Sequence, residues 1–96
     1  MNVRPGRGYR LMIISTSDRE LAMKIRSDLY QIFPDQKQYM VFQMPNIKIK
    51  LGNYQQRADA EKMRKLIIDM KLVPNNIYLL PETIEIKPEK KETEAP

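Results

Sequence analysis

Two stretches of the chain carry charge at a spacing that could do chemistry. In Ile47-Lys48-Ile49-Lys50-Leu51 cations alternate with aliphatic residues, so an extended backbone puts Lys48 and Lys50 on one face and the aliphatics on the other. Arg10 has a similar setting in Tyr9-Arg10-Leu11-Met12-Ile13-Ile14. Ammonium and guanidinium groups held on a flat surface can pair with carboxylates. By default the same pattern is simply a solvated strand face. Catalytic chemistry has less to work with. The chain contains no Cys and no His, which removes a thiol nucleophile, an imidazole base and the usual zinc ligand sets. Asp18 and Glu20 are close carboxylates, but Ser17-Asp18-Arg19-Glu20 has the spacing of a capping box, with Ser17 as N-cap. No acid–base partner accompanies them. No catalytic residue, metal ligand or cofactor is expected.

The elements that must position these cations follow from the apolar periods. The chain has 96 residues, 42% hydrophobic and 30% charged, which fits one small domain. The net charge of +5 is mild, short of a dedicated polyanion binder. No apolar run reaches membrane-spanning length. Residues 1–8 lack the apolar core of a signal peptide, so the expectation is either a cytosolic protein or a piece of a longer exported chain. With Pro5, Gly6 and Gly8, this stretch reads as a flexible arm.

Tyr9–Ser15 reads as a strand. A helix follows, with Leu21, Ala22, Ile25, Leu29, Ile32 and Phe33 on one stripe, and Pro34 ends it. Gln38–Met44 is a second strand, turned by Pro45-Asn46 into the third. An even-numbered loop puts Met40, Phe42 and Met44 on the face of Ile47, Ile49 and Leu51, with Val41 and Gln43 outward; a bulge would reverse this. A second helix runs from Arg57 to Lys71, with Ala60, Met63, Ile67 and Met70 as its buried stripe. Ile77–Leu80 is a fourth strand closed by Pro81, and Thr83–Ile86 adds a brief extended segment. Residues 87–96 read as a disordered charged tail.

The order strand, helix, strand, strand, helix, strand contains a repeat. Displaced along the chain, Arg19 falls on Arg57, Ala22 on Ala60, Leu11 on Ile49 and Leu29 on Ile67. Two such units predict an α+β, ferredoxin-like βαββαβ sandwich, with a four-stranded antiparallel sheet and both helices on one face. The overlay turns Tyr9, Leu11 and Ile13 toward the helices, and Arg10, Met12 and Ile14 outward with Lys48 and Lys50.

Lys48-Ile49-Lys50-Leu51-Gly52-Asn53-Tyr54 through Arg57-Ala58-Asp59-Ala60-Glu61 resembles the signature of the SPOR (sporulation-related repeat) domain. That signature is an alternating strand, Gly-x-aromatic, a short polar link, then Arg-Ala-x-Ala-Glu opening a helix. Tyr9 to Ala22 resembles its more divergent first copy, and Leu79–Glu85 its closing segment, so the likeness covers residues 9–86. The resemblance implies a non-catalytic module of the bacterial cell envelope or periplasm. It would bind septal peptidoglycan, in particular glycan strands stripped of stem peptides, and steer a larger protein to the division site. It implies a glycan lying across the open sheet, with Arg10, Met12, Ile14, Lys48, Lys50 and Gln43 as the binding residues by position. The lactyl carboxylates of such a glycan suit Arg and Lys, and apolar side chains can cover sugar faces.

The first copy departs from the pattern: Met12 stands where Gln is common, Ile14 where Gly is usual, and Thr16 replaces the aromatic. An outer face carrying Met12 and Ile14 equally fits a protein–protein or homodimer contact. RNA binding on the same fold needs aromatics on the central strands, and the outward positions there have none. Neither nucleic acid nor membrane is an expected partner.

Overall fold

The computed structural model describes residues 3–87. Its elements are β1 (Arg4–Thr16), α1 (Arg19–Ile32), β2 (Gln38–Gln43), β3 (Asn46–Tyr54), α2 (Arg57–Asp69) and β4 (Tyr78–Ile86). The strands form one sheet in the order β2-β3-β1-β4, every neighbour antiparallel. This is the ferredoxin-like α+β arrangement that the repeat predicts. Ala22, Ile25 and Leu29 of α1 and Ala60 and Ile67 of α2 join Leu11, Ile13, Ile47, Ile49 and Leu51 in a single core cluster. Both helices therefore cover the same face of the sheet. No helix among the described residues is long and apolar enough to cross a membrane.

Gln43 pairs with Asn46 across a two-residue connection, and Met40 and Phe42 face Ile49 and Ile47. The even loop therefore holds, and Val41 and Gln43 lie on the outer face. The cap of α1 falls one residue later than the capping box suggests. Asp18, not Ser17, is the N-cap, its carboxylate accepting from Leu21 N–H at 3.0 Å. α2 ends at Asp69, and Met70 just beyond it is exposed rather than buried.

The N-terminal arm departs most from expectation. Arg4–Gly8 are strand, paired with Ile86–Glu82, so β4 runs straight through Pro81 and the two strands make a ribbon. β3 stops pairing with β1 at Tyr9, which leaves Pro5 on a free edge where its missing N–H breaks no bond. Gly6 and Gly8 lie beneath the side chains of Ile86 and Ile84. The tail expected over residues 87–96 lies outside the described residues, apart from Lys87.

Candidate functional site

The sheet surface opposite the helices is defined by register. Lys50 has Met12 on one side and Tyr39 on the other, Lys48 has Ser15 and Val41, and Met12 faces Tyr78 on β4. Arg10, opposite Leu80, shares this face. Five of the six residues expected here (Arg10, Met12, Lys48, Lys50 and Gln43) thus lie on the outer side.

Ile14 does not. The β1–β3 register slips between Met12 and Ile14, where β1 carries an extra residue. Ile14 therefore falls opposite Ile49, belongs to the core and is only 4% exposed. The slip buries two adjacent isoleucines instead of one, and an aliphatic side chain of this size gains about 1.5–3 kcal/mol on burial. Ser15 takes the outward place opposite Lys48. Met12, flanked by Lys50 and Tyr78, retains 6% exposure.

The face divides into two halves of different chemistry. In one, the expected cations are already engaged. Glu82 accepts from Arg10 Nη1 at 2.9 Å through Oε1 and from Lys50 Nζ at 2.7 Å through Oε2. The three side chains are 13–21% exposed. The Arg10 guanidinium also lies 3.9 Å from the centre of the Tyr39 ring and donates to Asn53 Oδ1 at 3.1 Å. Asn53 Nδ2 in turn donates to Tyr39 OH at 2.6 Å, and Oδ1 also accepts from Glu85 N–H at 3.0 Å. One amide thereby links all four strands. Lys37 pairs with Glu85 at 3.0 Å.

These contacts move the titrations. Burial pulls the Glu82 carboxyl upward, but the hydrogen bonds and charges of Lys50 and Arg10 outweigh it and hold the group below the usual carboxylate value. The hydrogen bond from Lys37 likewise lowers Glu85, and Glu85 raises Lys37. Tyr54, at the corner between β3 and α2, donates to Gln36 at 2.6 Å, and burial pushes its phenol up.

The other half is open. Tyr78 is 53% exposed and borders a cleft of about 390 Å³ at the end of β1, shared with Met12, Ser15, Asn75 and Asn76 and closed on the helix side by Ile14 and by Leu21 of α1. Asn75 Nδ2 donates to the Ile13 and Asn76 carbonyls at 2.9 and 2.7 Å, which holds this loop against β1. Lys48 enters no ion pair among the described residues. An exposed ring with amides and a hydroxyl beside it suits a polyhydroxylated ligand, since the ring packs on apolar C–H faces and the polar groups bond hydroxyls.

Sequence reasoning placed the cations but missed their partner. Glu82 was visible only if β4 was read through Pro81, when the alternation Tyr78, Leu80, Glu82 would have set it beside Arg10. Tyr39 and Tyr78 carried the same kind of signal, as outward positions on the flanking strands. No group of three His, Cys, Asp or Glu side chains able to hold a metal occurs among the described residues. No protein family, curated protein or solved structure matches the chain.

Proposed function

We propose that this chain is a non-catalytic module that binds the glycan strands of peptidoglycan on the outer face of its sheet, favouring septal strands stripped of stem peptides. On this reading it targets a cell-envelope protein to the division site. The observation that carries the reading is the open half of the outer face: the half-exposed Tyr78 ring beside Met12, the Asn75–Asn76 cleft and Ser15, with Lys48 across β1. Sugar rings would pack on Tyr78, and a lactyl carboxylate would pair with Lys48. The likeness of the two βα repeats to the SPOR signature supplies the ligand class.

The rival reading, a dimer or protein contact through an apolar outer face, loses support because Ile14 is inward and Met12 is nearly covered. Pulldown with sacculi separates the two. Amidase-treated sacculi should retain the domain better than untreated sacculi. Equal retention, or none, would remove the glycan reading, and a concentration-dependent dimer in sedimentation would favour the rival.

A further inference from the structure

Arg10 and Lys50 converge on one point of the outer face, and a carboxylate of the same chain already stands there. The seat is built rather than incidental. The Arg10 guanidinium is stacked on Tyr39 and steadied by Asn53, and Lys50 is only 21% exposed. A bidentate arrangement of guanidinium and ammonium around two oxygens is the geometry that binds carboxylate, sulfate or phosphate groups.

We propose that Glu82 sets the charge selectivity of this face, filling from within an anion seat that Arg10 and Lys50 would otherwise offer to a ligand. With Glu82 in place, Lys48 is the one cation of this face that enters no ion pair among the described residues. A chain of net charge +5 is thereby kept from acting as a general polyanion binder. The inference shares with the proposed function only the premise that the outer face is the ligand surface. Its main test uses a polyanion rather than a glycan, so the two fail separately.

The test is elution from immobilised heparin under a salt gradient, with a thermal melt of each protein. Glu82→Gln keeps an acceptor for Arg10 but removes the charge. It should elute at higher salt than the wild type, and the slope of log affinity against log salt should steepen by about one. Adding Lys50→Met to Glu82→Gln should cancel most of that gain. Wild-type elution by a folded Glu82→Gln protein would overturn the proposal.

Two further variants keep Glu82 and decide the matter even if that substitution unfolds the domain. Lys48→Ala should lower heparin retention more than Lys50→Ala does, because Lys50 shares the charge of Glu82 and Lys48 enters no ion pair among the described residues. Equal losses in the two would also overturn the proposal. If sacculi binding fails while these heparin results hold, the glycan reading falls and the role of Glu82 stands.

Discussion

Glu82 lies between an ammonium and a guanidinium, and that position sets how the domain responds to acid. Its carboxyl titrates below the ordinary value of 4.5 in the folded protein. As pH falls, the unfolded chain therefore takes up this proton first, and protonation favours unfolding. The stability due to Glu82 is complete above the unfolded value and is lost as pH falls through the folded one. Glu85, held down by Lys37, adds to the loss in the same direction. Thermal melts from about pH 6 down to about pH 3 should show the wild type losing more stability than Glu82→Gln does. Parallel curves would mean that the two ion pairs contribute nothing net. Tyr78 is the other residue whose role is separable. It is exposed and packs outside the core, so Tyr78→Ala should leave urea unfolding within about 0.5 kcal/mol of the wild type.

At the scale of elements, β1 shows what a sequence reveals and what it withholds. Alternation gave β3 its faces, because Lys48 and Lys50 interrupt the aliphatics. In β1 the run Leu11-Met12-Ile13-Ile14 is apolar at every position, so alternation alone could not show where the register slips. The four-residue apolar run was itself the available hint, since a strand with one solvated face seldom needs it. Ile14→Ala should cost about 2–5 kcal/mol in urea unfolding, as for other buried aliphatics, and Ser15→Ala about 0.5 kcal/mol or less. The reverse order would mean that β1 carries no extra residue at Ile13.

The β1–β4 ribbon was illegible for a different reason. Pro5, Gly6 and Gly8 are poor strand formers, and only a tertiary partner, Glu82–Ile86, makes them one. A Cβ at Gly8 would lie 2.5 Å from the Tyr54 carbonyl oxygen. Backbone cannot yield as a side-chain tip can, so Gly8→Ala should destabilise by about 1–3 kcal/mol. A neutral result would show the ribbon to be loosely held.

For the whole molecule, the question is which force would hold a ligand on a face whose cations are mostly spent. Two cations of this face, Arg10 and Lys50, share one internal carboxylate, which offsets one of their two charges, and an aromatic ring stands open at the other end. Binding should then rest on ring-face contact and hydrogen bonds more than on counterion release. With Lys48 as the cation engaged, the one on this face without an ion pair among the described residues, raising salt from about 50 to about 200 mM should weaken binding to denuded glycan by no more than about fourfold. Tyr78→Ala should weaken it by about tenfold, the scale of one lost aromatic stacking contact. Equilibrium binding to amidase-treated sacculi at the two salt concentrations, with wild type and variant side by side, measures both. A steep salt dependence with no effect of Tyr78→Ala would place the binding energy in charge. It would point to a second cationic surface, such as the Arg4–Arg7 end of the ribbon, as the one that meets the polymer.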